Sequence, residues 1–92
     1  MTLEPQVGVS LDLSHARSIL RVAEEIAEPL LSRFIAIDLR PQHLPVDDVA
    51  TTALHRVSVV LWRRPSGIDI LVPRSFARSI WDLLAETAER LG

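Results

Sequence analysis

The sequence predicts a small α+β protein, with helices packed on one face of a three-stranded, mostly antiparallel sheet, in the order β-α-(α)-α-β-β-α. Hydrophobic residues alternate with polar ones near the start of the chain and again around residues 57–72, which is typical of strands. Between and after these segments they recur at intervals of three and four, which is typical of amphipathic helices. The 92 residues have the length of one domain, which we take to span residues 1–92.

The first predicted strand covers residues 6–12, in which hydrophobic residues alternate with small or polar ones. Ser14 offers a side-chain oxygen suited to cap a helix, and hydrophobic residues with helical spacing follow, so a helix is predicted over residues 15–28. Pro29 lies inside this pattern and lacks the N–H that a helix interior needs. Either the helix kinks at Pro29, or it ends near Glu28 and a second helix begins with Pro29; the break is preferred.

The segment before the predicted hairpin is the least regular part of the sequence. The hydrophobic run of residues 34–39 fits either a helix or a strand. Residues 40–46 contain two prolines and no periodicity, which indicates a loop. Asp47 or Asp48 is suited to cap a short helix that ends near His55.

A β-hairpin is predicted around the turn Arg64-Pro65-Ser66-Gly67, because proline at the second and glycine at the fourth position suit a type I turn. Strands rich in β-branched residues flank this turn. If Arg63 pairs with Ile68, six hydrophobic side chains share one face: Val57, Val59, Leu61, Ile68, Ile70 and Val72. The opposite face then carries Ser58, Val60, Trp62, Asp69 and Leu71.

The last helix is predicted over residues 76–91, with Ser75 as its cap. Its hydrophobic residues form a broad stripe: Phe76, Ala77, Ile80, Trp81, Leu84, Ala88 and Leu91. The pairs Arg78–Asp82 and Glu86–Arg90 have the four-residue spacing at which opposite charges stabilise a helix.

Composition excludes several classes of function. Without cysteine, the chain has no disulfide, thiol nucleophile or thiolate metal site. A net charge of −2 does not favour binding to nucleic acid or to anionic membranes. No apolar segment approaches the roughly 20 residues of a membrane span, and the first residues do not resemble a secretory signal. We therefore predict a cytoplasmic protein. The absence of Lys, Asn and Tyr indicates a bacterial genome of high GC content, so arginine usage is weak evidence for phosphate recognition.

The leading functional hypothesis is a non-enzymatic protein-interaction module. Hydrophobic residues make up 48% of the chain, which is rich for a small protein, and a hairpin face that should be polar carries hydrophobic side chains. The predicted interface consists of Val60, Trp62 and Leu71, with Arg63, Arg64 and Asp69 at its rim. It would mediate self-association, giving a homo-oligomer, or dock a protein partner. In the alternative interpretation, the N-terminal strand covers this face within one chain.

The second hypothesis is a winged-helix DNA-binding protein, in which residues 47–55 form the recognition helix and the hairpin forms the wing. The candidate contacts are Arg63, Arg64, Thr51, Thr52, His55 and Arg56. Asp47 and Asp48 would repel phosphate at the start of this helix, which counts against DNA binding.

The third hypothesis is a small enzyme or ligand-binding protein that uses His43 or His55 together with Asp47 or Asp48. Their spacing is not a recognised metal-ligand pattern, and the chain lacks a glycine-rich phosphate loop. We therefore predict no catalytic residue, no metal site and no cofactor.

Overall fold

The computed structural model describes residues 2–6, 9–12, 17–40 and 42–91, with the side chains of residues 9–11, 17–40 and 42–90. The strands are β1 (Thr2–Gln6), β2 (Val9–Asp12), β3 (Arg17–Ala23), β4 (Val49–Leu54), β5 (Val57–Arg64) and β6 (Gly67–Pro73). The helices are α1 (Glu24–Leu31), which follows β3, and α2 (Arg74–Leu91), which follows β6.

All six strands of the described residues form one antiparallel sheet in the order β1-β2-β3-β6-β5-β4. The α+β class and the antiparallel sheet are therefore confirmed. The predicted number of strands and the predicted order of elements are wrong, because two of the segments assigned to helices contain strands and because Thr2–Gln6 forms a further strand before Val9–Asp12.

The predicted helix over residues 15–28 is wrong, since residues 17–23 form β3 and α1 begins only at Glu24. In β3, buried and more exposed side chains alternate, and the strand pairs with β2 on one side and β6 on the other. This short run of hydrophobic residues fits the spacing of a helix as well as the alternation of a strand, and its pairing with β2 and β6 favours the strand. The predicted cap at Ser14 lies outside the described residues.

Pro29 lies within α1, which continues without a break to Leu31. The proline removes the hydrogen bond that its N–H would donate to the carbonyl of Glu25. Glu25 and Pro29 are both exposed, so water can satisfy this carbonyl. The preferred interpretation, a second helix that begins at Pro29, is wrong.

The predicted helix that ends near His55 is also wrong, because Val49–Leu54 form β4 and pair with β5. His55 and Arg56 connect these strands, with φ angles of 51° and 71°. A two-residue type I′ hairpin turn needs positive φ at both positions, usually supplied by asparagine and glycine. The sequence lacks that signal here, so the hairpin is not recognisable from turn residues.

The predicted hairpin is confirmed in its register, since Arg63 pairs with Ile68 and Leu61 pairs with Ile70. Gly67 begins β6 with a φ of 148°, and a Cβ atom there would lie 1.9 Å from the carbonyl oxygen of Val22. Only glycine fits this close approach of β6 to β3.

Helix α2 is confirmed, although it begins at Arg74, and its ion pairs Arg78–Asp82 (3.6 Å) and Glu86–Arg90 (2.6 Å) form as predicted. Phe76 is an exception to the predicted stripe because it is 48% exposed. Neither α1 nor α2 combines the length with the hydrophobicity that a membrane-spanning helix requires.

One face of the sheet carries the core, and α1 and α2 pack against it. The described residues between α1 and β4 form neither helix nor strand, but Ile35, Leu39 and Leu44 are buried in the same core. We call the described residues of this segment, 32–40 and 42–48, the strap. The helices and the strap thus contribute to a single hydrophobic core on this covered face.

Candidate functional site on the outer face of the sheet

The outer face of the sheet is formed by the strand residues whose side chains alternate with those of the core. Its described members in β3 to β6 include Arg17, Ile19, Arg21, Val49, Thr51, Ser58, Val60, Trp62, Arg64, Asp69 and Leu71. Five residues of the predicted interface are among them. Their position on this face follows from the alternation of side chains along β5 and β6, whose pairing the structure has in the predicted register.

A hydrophobic strip crosses the middle of the outer face. Leu71 pairs with Ile19 on one side and with Val60 on the other, so that the three side chains form one row across three strands. All three are half-buried. Trp62 extends the strip along β5 and pairs with Val49, which is 59% exposed.

A cluster of charged side chains lies beside this strip. Asp69 is 7% exposed, and its carboxylate oxygen Oδ2 lies 3.8 Å from Nε of Arg21 and 3.8 Å from Nη1 of Arg64. The guanidinium of Arg64 also stacks on Trp62, at 4.2 Å from the ring centroid. Burial raises the pKa of Asp69, and the two arginines act in the opposite direction.

The remaining predicted interface residue, Arg63, lies on the covered face and is 4% exposed. Its Nε donates to the carbonyl of Leu44 at 3.1 Å, Nη2 donates to the carbonyl of Leu39, and Nη1 donates to Glu24 Oε2 at 3.2 Å. Arg63 therefore anchors the strap and does not lie at the rim of the outer face. Side chains two residues apart on a strand share a face, so the sequence pattern already places Arg63 on the same face as the buried Leu61.

The residues of the other two hypotheses are spread over different environments. Thr51 and Thr52 lie on β4 with opposite orientations, and His55 and Arg56 form the turn that follows. The recognition helix of the winged-helix hypothesis is thus absent from the described residues.

His43 lies next to Asp38, which the sequence analysis did not select, with 3.3 Å between His43 Nε2 and Asp38 Oδ2. Hydrogen bonds from the Arg40 side chain and backbone lower the pKa of Asp38 to about 2. Within the described ranges, no group of three or more potential ligand side chains is placed to hold a metal ion.

Comparison with known proteins identifies relatives of this chain. No model of a known protein family matches it. The gamma subunits of sarcosine oxidase from Corynebacterium sp. strains U-96 and P-1 are each 33% identical to it over 73 residues, which is 79% of this chain and 36% of the relative. A chain of the heterotetrameric sarcosine oxidase from Corynebacterium sp. U-96, solved in complex with pyrrole 2-carboxylate, matches 88% of this chain and 42% of its own length, with a TM-score of 0.76 and 30% identity.

These similarities overturn the functional hypotheses drawn from the sequence. The relatives are, by name, subunits of a multi-subunit oxidase. The prediction of a small non-enzymatic interaction module, self-associating or docking on a partner, is therefore wrong, and so are the alternatives of a winged-helix DNA-binding protein and of a small enzyme or ligand-binding protein. The comparisons also give no support to the predicted homo-oligomer. The chain spans about two fifths of the length of these relatives; it is similar in sequence to part of the sarcosine oxidase gamma subunits and in fold to part of one chain of the heterotetrameric enzyme.

Proposed function

We propose that this chain is a protein-binding component of a multi-subunit oxidase, in the role that the gamma subunit has in heterotetrameric sarcosine oxidase. The observation that carries this proposal is the agreement of 33% sequence identity with a TM-score of 0.76. Because the chain spans only part of the relatives, sarcosine as the substrate and the larger subunits as partners belong to the proposal.

The outer face supports a role in binding another protein. The water-facing side of an antiparallel sheet is normally polar, whereas here a hydrophobic strip and Trp62 occupy it. Protein interfaces are enriched in aromatic residues and arginine and place them around a hydrophobic centre. The stack of Arg64 on Trp62 beside the strip has this composition.

Two further proposals concern the chain as a whole. We propose that residues 1–92 fold as one unit, which predicts a single cooperative unfolding transition. We also propose the cytoplasm as its location, which fractionation of the source cells would test.

Affinity purification from the source organism tests the function directly. The tagged chain should recover larger subunits in fixed stoichiometry, and the recovered complex should consume oxygen when sarcosine is added. Deletion of the gene should abolish or strongly lower that activity in the extract, and expression of the chain should restore it. Recovery of the 10.3-kDa chain without oxidase subunits would overturn the proposal.

A further inference from the structure

We propose that the outer face docks onto a partner surface that carries a carboxylate, and that Arg64, held against Trp62, is the residue that binds it. This inference rests on the proposed function, for which it identifies the contact surface and the chemistry of the partner. Three observations support it: the charge of the outer face, the geometry of Arg64, and the free energy that is lost when a partner removes water from Arg64.

In β3 to β6, the described side chains of the outer face carry more positive than negative charge. Its described side chains in β3 to β6 include three arginines and one aspartate: Arg17, Arg21, Arg64 and Asp69. The whole chain, in contrast, has a net charge of −2. A partner with acidic side chains opposite this face would be electrostatically complementary to it.

Arg64 is positioned to receive a carboxylate. Stacking on Trp62 holds the guanidinium in place, while its side chain remains 40% exposed. The 3.8 Å contact with Asp69 is an ion pair too long for a hydrogen bond. A planar guanidinium held in this way can bind a partner carboxylate through two parallel hydrogen bonds.

Covering the outer face favours a carboxylate from the partner. Asp69 is already buried, and its 3.8 Å contact with Arg64 leaves the guanidinium without a hydrogen bond to this carboxylate. A partner that packs on the hydrophobic strip removes water from Arg64, and a buried charge is costly unless it is paired and hydrogen-bonded. A second copy of this chain would bring its own Arg17 and Arg64 to the contact, which favours a different protein as the occupant.

Charge reversal at Arg64 provides the test, with Arg33 as the matched control. Arg33 is an exposed arginine that follows α1, on the side of the molecule away from the outer face. We expect Arg64→Glu to lower the recovery of the larger oxidase subunits with the tagged chain at least tenfold, and Arg33→Glu to change it less than twofold. Val60→Thr, which keeps shape but adds a hydroxyl to the strip, should lower recovery severalfold.

The outcomes separate this inference from the function on which it rests. If the wild-type chain recovers the oxidase and both Arg64→Glu and Val60→Thr recover it equally well, the inference is wrong and the proposed function stands. If the wild-type chain recovers no oxidase subunit, both fail. If the isolated chain is a dimer in light scattering and Arg64→Glu makes it monomeric, the occupant is a second copy and the acidic partner is refuted. The circular dichroism of each variant verifies that it is folded.

Discussion

Arg63 and Arg64 are adjacent in the sequence but lie on opposite faces of the sheet, in opposite environments. Arg63 is buried on the covered face, where its guanidinium donates hydrogen bonds to two strap carbonyls and to Glu24. Arg64 is partly exposed on the outer face, where it stacks on Trp62. The alternation of a strand thus gives one arginine a structural role and leaves its neighbour available for contact.

The two faces of the sheet differ in the same way as the two arginines. On the covered face, the helices and the strap bury the hydrophobic side chains, so substitutions there should act on stability. On the outer face, half-buried hydrophobic side chains and arginines remain accessible, so substitutions there should act mainly on assembly. Stability and partner binding can therefore be measured separately in matched variants.

The largest effect should come from Arg63→Leu. Removal of the guanidinium leaves the buried carbonyls of Leu39 and Leu44 without their donor, so we expect a loss of about 3 kcal/mol in the free energy of unfolding. Arg64→Leu is the control, and its loss should stay below about 1 kcal/mol because its ion pair is partly exposed. Urea unfolding would measure both. Equal midpoints for the two variants would contradict the distinction between the faces.

Gly67→Ala should have the next largest effect. The new Cβ would collide with the backbone of β3, and the φ of 148° is unfavourable for alanine, so we expect a loss of roughly 2 kcal/mol. The neighbouring exposed Ser66 supplies the control, since Ser66→Ala should change stability by less than about 0.5 kcal/mol. A thermal midpoint for Gly67→Ala as high as that of the control would show that β6 and β3 approach less closely.

Ser18→Ala should stabilise the chain by about 1 kcal/mol. The Ser18 hydroxyl is buried under the helices and has no hydrogen-bond partner within the described residues. Alanine removes this unsatisfied group without a large change in volume, and Ser66→Ala in the exposed turn, where helix propensity plays no part, serves as the control. Calorimetry would detect the difference, and a destabilised Ser18→Ala would indicate that the hydroxyl is hydrogen-bonded in solution.

The smallest effects concern pH, and they have opposite signs for Asp38 and Asp69. The pKa of Asp38 is lowered from 3.8 to about 2, so its stabilising contribution is present above pH 3.8 and is lost as pH falls towards 2. The pKa of Asp69 is raised, so the folded state binds this proton more tightly and stability falls as pH rises above 3.8.

Asn substitutions separate these two contributions. Asp38→Asn should reduce the loss of stability that occurs as the pH falls below 3.8. Asp69→Asn should reduce the loss of stability that occurs as the pH rises above 3.8. Urea midpoints measured at intervals between pH 2 and 6 would show both slopes. The assignment of the two carboxylates is incorrect if either variant changes the slope that belongs to the other.

The C-terminal part of the fold was predictable because its local signals agree. The turn residues, the alternation on both strands and the helical stripe of α2 all indicate the same arrangement, and the register follows from Arg63 and Ile68. The N-terminal part was not predictable, because β3 contains neighbouring hydrophobic residues that fit a helix as well as a strand. Its partner in the sheet, β6, lies about 50 residues further along the chain, and such distant pairing has no local signal.

The candidate site was predictable only where alternation defined it. Val60, Trp62, Asp69 and Leu71 follow from the hairpin pattern, and Arg63 could have been excluded from the same pattern. The part of the outer face that β3 contributes was missed, because that segment was interpreted as a helix. The proposal of an oxidase complex came from comparison with known proteins, since no motif of the sequence specifies a partner.

The most direct test of the central claim is hydroxyl-radical footprinting of the isolated chain and of the oxidase complex in which we propose that it assembles. Trp62 lies on the outer face, whereas Phe76 is an exposed aromatic residue on α2 and serves as the internal comparison. We predict that assembly strongly lowers the oxidation of Trp62 and leaves that of Phe76 unchanged. Unchanged oxidation of Trp62 in the assembled complex would contradict the assignment of the outer face as the docking surface.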